Sequence, residues 1–440
     1  MTRVLLPTQS IDAKFLADEG RNPRRSLFSL PGTGKTLTAL EAVRIANPTG
    51  KLVVIAPKIA LRMWSQEIQD WLGMSCHILA AGKTEIDYSV DAYVTTYGLA
   101  STFKDKIGGP EVLILDEADA LKSLSAARTK AIYGARASGK NAFMTGCRHV
   151  WPLTGTPVRR YHDDLYPWFK ALHPQVLKDF ALGNQAAFEK AFCRVDMRRY
   201  HPSMPMRRTV VGSINEAELN RLIYRNGLAV RRTIDDVAAD MPPMVQRTID
   251  VDLDWTPELK AETVKWEHQD DPENVFSTTT LRRLLGVSKV TAVGTYVIDC
   301  FDADKSPLLC LYWHSDVGSG LLDYFGSAGL RAAKIDGSSS DKARQLAEDR
   351  FNGGEIDVLL GQMQAMGVAL NLQKASTHVV FAERDWSSST EEQAYKRVWR
   401  LGQKNKVRID YCVSNHPLDE VMGDIVDRKT VSQRKTMGDV

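Results

Sequence analysis

Apolar residues fall along this chain in two patterns that take turns. "RSLFSL", "KLVVIA", "AYVTTY", "EVLILDE" and "VWPLTGTP" are short apolar runs, and helix-length amphipathic segments lie between them, among them 35–46, ended by "NPTG", and 58–72. Strands that are apolar on both faces and alternate with helices predict a parallel sheet covered by helices on both sides. From about 160 to 250 the pattern changes to helices rich in aromatic residues and arginine, closed by "MPP". A second alternating block follows, with "LLCLYW", "AAKID", "IDVLLG", "THVVFAE" and "VRIDYCVS" as its strands. The fold class is therefore α/β, two lobes with a helical insertion between their cores. The expected boundaries are 1–160 for the first core, 161–250 for the insertion that closes it, 251–305 for a helical linker region and 306–440 for the second lobe.

Near the end of the chain stands "QAYKRVWRLGQ" (393–403). Ser389 and Glu392 in capping-box spacing and a stop at Gly402 predict one helix over about 390–401. On it Gln393, Arg397 and Arg400 form one stripe, and Ala394, Val398 and Leu401 form an adjacent apolar one. Such a basic stripe on an isolated helix is most often only solvated. Two features elsewhere in the chain give it a target.

The first is "FSLPGTGKTLTAL", a glycine-containing loop between an apolar strand and a helix. Backbone N–H groups of Gly32, Thr33, Gly34, Lys35 and Thr36 can cradle phosphates there, with Lys35 reaching the terminal phosphates and Thr36 a magnesium ion. The full pattern wants glycine where Ser29 stands, so the loop is a variant. The second feature is "EVLILDEAD", which puts Asp116 and Glu117 at the C-terminal end of a buried strand, where open α/β sheets bind ligands. About eighty residues after a phosphate loop, this pair suggests that Asp116 holds magnesium and Glu117 polarises an attacking water. Cleavage of a nucleoside triphosphate builds negative charge on the γ-phosphoryl group, and arginines from a second body stabilise it. Arg397 and Arg400 are placed for that role, and closure of one lobe on the other would couple hydrolysis to movement.

Composition adds exclusions. The 440 residues are 43% hydrophobic and 25% charged, ordinary for a globular protein, and a net charge of +3 is too small to prove a polyanionic partner. The six cysteines are dispersed without a CxxC pair, so reduced thiols and no zinc are expected. No apolar run reaches the length of a membrane span and the N-terminus lacks a signal-peptide core, so no membrane association is expected, and a cytoplasmic location in a bacterial or phage-infected cell is.

In order along the chain these motifs resemble those of the Swi/Snf-type ATPases of helicase superfamily two. "LLPTQ" is similar to the adenine-reading segment and carries Gln9; "PGTGKT" resembles motif I, "VVIAPKIALRMWSQEIQDWL" motif Ia with its helix, "VTTYGL" motif Ib, "LDEADALKS" motif II and "LTGTP" motif III. "LAVRRTIDDVAADMPPMVQ" resembles the signature that ends the first lobe, and "KIDGSSS", "DRFN", "GVALNL" (motif V) and "QAYKRVWRLGQ" (motif VI) follow. "LRRLLGVSKVTAV", "VVFAERDW" and the Arg-x-x-Arg-x-Gly-Gln ending look most like the branch of annealing helicases and fork remodellers. Departures are Asp119 at the end of motif II, where the family usually has histidine, and Met366 and Ala369 in motif V at positions usually glycine. They put the efficiency of coupling between DNA and ATP in doubt.

The resemblance implies two RecA-like lobes that bind ATP and Mg²⁺ between them and act on double-stranded or forked DNA as a monomer, with proteins of replication, recombination or transcription as further partners. It implies adenine or phosphate contacts for Gln9 and Gln393, a relay through Thr154, Gly155 and Thr156, and a phosphate track through Lys58, Thr95, Tyr97, His314 and Asn371. Trp386 matches a position that touches DNA, against the competing reading of a core tryptophan. "CRVDMRRYHPSMPMRR" adds arginines, including Arg198, Arg199, Arg207 and Arg208, for which gripping a duplex competes with plain solvation. Translocation that remodels, anneals or clears DNA is favoured. The alternatives are a strand-separating DNA or RNA helicase, for which the sequence shows no clear wedge hairpin, and an ATP-switched inhibitor without sustained turnover.

Overall fold

The computed structural model describes the chain except residues 1–3, 21–22, 135–141, 199–204, 238–240, 269–277, 367–369, 401 and 440. The chain forms two compact units, Met1–Ala239 with Val431–Val440, and Asp240–Thr430.

In chain order the strands of the first unit are β1 (Ser26–Leu27), β2 (Leu52–Ala56), β3 (Cys76–Leu79), β4 (Ala92–Thr96), β5 (Val112–Asp116), β6 (His149–Leu153), β7 (Cys193–Arg198), β8 (Arg207–Ser213) and β9 (Ala229–Val230). Seven of them make one sheet in the order β3-β4-β2-β5-β6-β1-β9, and every pairing in it is parallel. All five residues of β2 and of β6 are buried, as strands covered on both faces must be. One apolar layer (Leu40, Val43, Leu61, Trp64, Ile68) lies under helices Lys35–Ala46 and Leu61–Leu72. The opposite layer gathers Phe28, Tyr97, Phe103, Leu115, Trp168, Phe169 and Phe188. The doubly covered parallel sheet matches the pattern read from the sequence.

The region from 161 to 250 departs from its helical expectation. Helices Tyr166–Leu172, Pro174–Asp179, Gln185–Phe192 and Glu216–Tyr224 are present, but β7 and β8 form an antiparallel hairpin that stands as a sheet of its own. β9, from "LAVRR", completes the edge of the main sheet beside β1. These strands are too short or too charged to give an apolar run, which is why periodicity did not show them.

The second unit holds β10 (Met244–Asp250), β11 (Leu308–Tyr312), β12 (Ala332–Ile335), β13 (Val358–Gln362), β14 (His378–Phe381) and β15 (Val407–Val413) in the order β10-β15-β14-β11-β13-β12. β10, assigned from sequence to the insertion, instead runs parallel to β15 through seven register pairs. The segment read as a linker supplies helices Pro257–Glu267, Thr279–Ser288 and Val290–Asp304 to the same unit.

Asp410 explains how so polar a strand as β10 is held at that edge. Its carboxylate is fully buried and accepts from Arg247 Nε at 2.8 Å, Tyr296 Oη at 2.6 Å and the His378 ring at 2.5 Å, so that β10, β14, β15 and helix Val290–Asp304 meet on one anion. Burial alone would raise its pKa, but His378, Arg247 and Tyr296 together hold it well below the usual carboxylate range. A depressed carboxylate stabilises the fold fully above its unfolded pKa of about 4, and that stability is lost as pH falls toward the folded value. Asp410→Asn is expected to cost on the order of 2–3 kcal/mol, below the range for breaking fully buried pairs because Arg247 reaches solvent. It should also flatten the fall in melting temperature below about pH 4. Thermal denaturation of both forms across pH checks this.

Candidate nucleotide site and the surfaces around it

The phosphate loop links β1 to helix Lys35–Ala46, and Gly32 and Gly34 take φ of +88° and +84°, a region that L side chains rarely adopt. Ser29, the departure from the full pattern, is not among the positive-φ residues; it is buried, and its Oγ accepts the Arg232 N–H at 3.0 Å. A side chain is therefore tolerated where the pattern wants none. Lys35 Nζ donates to the carbonyls of Ser29 (2.9 Å) and Leu30 (3.3 Å), folded over the loop it would leave for phosphate. Thr36 stands in the first turn of the helix, partly buried.

Gln9 reaches this loop from helix Pro7–Ala17. Its Oε1 accepts from the Leu6 N–H at 2.8 Å, and its Nε2 donates to the Gly34 carbonyl at 3.4 Å. The loop is braced from the far edge of the sheet as well. Arg232 pairs with Asp12 through Nε and Nη2, while Arg231 donates to the carbonyls of Phe28 and Gly155 (the latter at 3.4 Å) and grips Asp439. In the sequence these two arginines belong only to the signature "LAVRRTIDDVAADMPPMVQ". That they follow β9 puts them beside β1, and this pairing could not be read from composition.

Asp116 ends β5. Its Oδ2 accepts from Trp64 Nε1 at 2.8 Å and its Oδ1 from the Glu117 N–H at 3.1 Å. Burial, then the adjacent Glu117 carboxylate, push Asp116 up to about 6 against the Trp64 N–H and the Lys35 ammonium. Glu117 adopts a left-handed φ of +50°, unusual for a residue with a side chain, and its Oε2 is buried without a hydrogen-bond partner among the described residues. Two neighbouring carboxylates in a dry site, one with an orphaned oxygen, are an arrangement that a divalent cation relieves. Magnesium typically takes one or two protein carboxylates, substrate phosphates and waters, a share of ligands that this pair can supply.

Asp119 is the family departure in motif II, and the structure gives it partners. It accepts from Thr154 Oγ1 at 3.2 Å and forms an ion pair with Arg159. Burial pushes its carboxyl up to about 7 against the pull of that guanidinium. Thr154 Oγ1 in turn accepts from the Thr156 N–H at 3.1 Å, and Gly155 packs on the phosphate loop so closely that a Cβ would lie 2.5 Å from Pro31 Cδ. Thr154, Gly155 and Thr156 thus connect motif II to the loop.

In the second unit the motif VI helix is shorter than expected, Ser388–Tyr395, and its N-cap is Ser387 rather than Ser389. Beyond Tyr395 the N–H groups of Arg397 and Val398 bond three residues back, and the carbonyls of Arg397 and Val398 are taken by the Leu372 N–H and by Gln403 Nε2. Motif V and Gln403 compete for the carbonyls that would prolong the helix. Ala394 and Val398 are buried as predicted; Leu401 lies outside the described residues. Gln393 gives its carbonyl to Arg397 Nε at 3.2 Å. Arg400 Nη1 donates to Asn371 Oδ1 at 2.7 Å and the Leu370 carbonyl at 3.3 Å, and burial pulls its pKa below the ordinary value.

The proposed DNA track is where the geometry departs most from expectation. Lys58 is exposed. Thr95, however, is 0% exposed with its hydroxyl donated to the Leu79 carbonyl, and Tyr97 is buried and donates to the Asp116 carbonyl at 2.7 Å. Thr95 is spent inside the sheet, because a doubly covered strand has no solvent face, and Tyr97, the residue after β4, is spent on the end of β5. His314 is partly buried, its Nδ1 2.6 Å from Glu383. Asn371 is exposed but committed through Oδ1 to Arg400. Trp386 is a core residue, packed with Leu259, Trp266 and Leu281 under the Arg282 guanidinium. Arg207 and Arg208 are exposed on β8, Arg208 in an ion pair with Glu189. Arg198 ends β7, whereas Arg199 and Met204 fall among residues not described, as does all of motif V's "GVA" (367–369), Ala369 included.

The family model of the SNF2-related domain matches residues 14–268, and that of the helicase conserved C-terminal domain matches 296–402. The chain belongs to the SNF2-related family. Among curated proteins it is similar to the DNA annealing helicase and endonuclease ZRANB3 of Mus musculus, 27% identical over 446 residues, covering 97% of this chain and 40% of that protein. It is also similar to the SWI/SNF-related matrix-associated actin-dependent regulator of chromatin subfamily A-like protein 1 of Xenopus tropicalis, 24% identical over 437 residues, covering 97% and 44%. The chain thus spans less than half the length of these relatives. A solved Sulfolobus solfataricus SWI2/SNF2 ATPase core in complex with dsDNA matches with a TM-score of 0.44 and 19% identity, covering 99% of this chain and 97% of that one.

Gly155→Ala is expected to push Pro31 and the phosphate loop apart and to weaken nucleotide binding at least tenfold, read by titration with a fluorescent ATP analogue. Arg159→Ala leaves Asp119 buried without its cation, so a loss on the order of 2–4 kcal/mol is expected. Asp119→Asn in the same chain should recover most of it, a double-mutant cycle followed by urea denaturation.

Proposed function

We propose that this chain is an ATP-hydrolysing motor that moves along double-stranded or forked DNA and remodels, anneals or clears it. The observation that carries the reading is the buried pair Asp116 and Glu117 at the end of β5, with Glu117 Oε2 unpartnered, set beside a phosphate loop of the required conformation. Similarity to an annealing helicase and to a chromatin regulator supports DNA as the track.

In this reading the loop N–H groups and Lys35 bind the phosphates, Lys35 leaving the Ser29 and Leu30 carbonyls to do so. Thr36 and Asp116 would hold magnesium, which supplies charge neutralisation on the β- and γ-phosphate oxygens when bound. Glu117 orients a water and takes its proton at Oε2, and Arg397 and Arg400 from the second unit stabilise the transferring phosphoryl group. Arg400 must exchange Asn371 and Leu370 for phosphate. That exchange would link motif V, next to the DNA track, to nucleotide state. The Thr154–Asp119–Arg159 clasp holds motif III against motif II during the cycle.

Strand separation is the second reading, and the β7–β8 hairpin favours it, being the kind of element that the sequence had not shown. Steady-state ATP hydrolysis with no DNA, duplex, single strands, forks and RNA tests the motor. Stimulation by duplex or fork is expected. Lys35→Ala should abolish it, and Glu117→Gln should lower turnover at least 100-fold while ATP still binds. Absence of stimulation by any nucleic acid would reject the motor. Displacement of a labelled strand, against annealing of the same strands, separates the two readings.

A further inference from the structure

Tyr97, nominated by resemblance for a DNA track, reaches motif II instead. It follows β4, and in the sheet β2 stands between β4 and β5. Register pairs Ala56 with Thr96 on one side and Ile55 with Leu115 on the other, so β2 ends level with Asp116, and Pro57 follows. Two strand spacings, about 9–10 Å, separate β4 from β5. Tyrosine carries a donor at the tip of a side chain long enough to reach across where β2 stops. The Tyr97 ring belongs to the apolar layer that holds Leu115 and Ala118, and its Oη donates to the Asp116 carbonyl at 2.7 Å.

That carbonyl is one end of the peptide unit joining Asp116 to Glu117. The other end is bound as well, since the Glu117 N–H donates to Asp116 Oδ1 at 3.1 Å while Trp64 holds Oδ2. Beyond the side chain, the Glu117 carbonyl accepts from the Ala120 N–H at 3.1 Å and opens the short 3₁₀ turn Ala118–Leu121. Glu117 itself stands at φ +50° and ψ +53°. A residue with a side chain rarely adopts that conformation, and it persists only where the surroundings over-determine it. Of the three backbone bonds that do so here, two are made within the segment and only Tyr97 comes from another strand. These angles fix the direction of the Glu117 side chain, whose Oε2 is buried without a hydrogen-bond partner among the described residues.

We infer that Tyr97 is a positioning residue for hydrolysis: its hydroxyl pins the Asp116–Glu117 peptide and so aims Glu117 Oε2 at the water to be oriented. The inference rests on the role of Glu117 given above and adds the residue that directs it. Without the hydroxyl the peptide is free to rotate, Glu117 leaves the left-handed region, and its carboxylate moves out of line. Such a loss falls on turnover and spares nucleotide affinity, because the phosphate loop is built from other elements.

Tyr97→Phe keeps the ring and removes only the donor. In steady-state hydrolysis with duplex DNA its kcat should fall about tenfold, while affinity for a fluorescent ATP analogue stays within about twofold. The effect passes through Glu117, so in a Glu117→Gln chain the same change should cost no further turnover. 4-Aminophenylalanine at position 97 returns a donor to the same point and should restore most of the lost rate. Wild-type turnover in Tyr97→Phe would overturn the inference. Equal proportional losses with and without Glu117 would do the same, as would turnover and analogue affinity falling together, since each describes a site loosened as a whole. An amine that restored nothing would reject the hydrogen bond as the cause. Failure of the Glu117 role itself is visible separately, as Glu117→Gln turning over like wild type with Tyr97 intact.

Discussion

A carboxylate at the end of a strand buried on both faces is the constraint around which the first unit is organised. Apolar residues carry β5 through the middle of the sheet, and Asp116 is the first polar side chain beyond them. Burial there drives it toward protonation, while the Trp64 N–H and the Lys35 ammonium draw it toward the charged form. Each of those groups comes from a different element: Trp64 from the helix after β2, Lys35 from the helix after β1. The same low dielectric makes it costly to hold two neighbouring carboxylates, Asp116 and Glu117, without a compensating charge.

The surroundings of this pair are arranged so that the loops meeting it share partners. Arg231 touches the backbone of both the phosphate loop and motif III, and Arg232 joins the loop's Ser29 to Asp12 near the start of the chain. Asp119 and Thr154 join motif II to motif III, and Arg159 supplies the positive charge that a carboxylate at this position requires. A histidine there would need no such cation. The departure in motif II is thus answered by a neighbour in space rather than by a gap in the site. In the second unit Asp410 plays the corresponding part for the sheet, gathering three strands and a helix on one anion. Lys289 within "LRRLLGVSKVTAV" does so for the segment before it, buried against Asp419 and the Cys412 carbonyl.

What was legible in advance followed from strong local signals. The phosphate loop, Asp116 and Glu117 lie where an apolar strand stops, and helix Lys35–Ala46 appeared with the expected ends. Thr95 and Tyr97 turn their hydroxyls inward, because motif order says which residues lie near a track but not which way the chain directs their side chains. Trp386 was open to two readings for the same reason. The helix of Arg397 and Arg400 ended early because a distant segment competes for its carbonyls, which no propensity records.

Sequence alone determined the α/β class, the doubly covered parallel sheets, the phosphate loop and the acidic strand end, since each depends on residues close together in the chain and on the period of their burial. Tertiary structure decided the rest. It placed β9 beside β1 so that Arg231 and Arg232 brace the loop, gave β10 to the second unit's sheet, matched Arg159 to Asp119 and raised the β7–β8 hairpin out of an arginine-rich stretch. These are pairings between residues far apart in sequence. Their energy comes from burial and charge compensation that exist only once the chain has closed on itself.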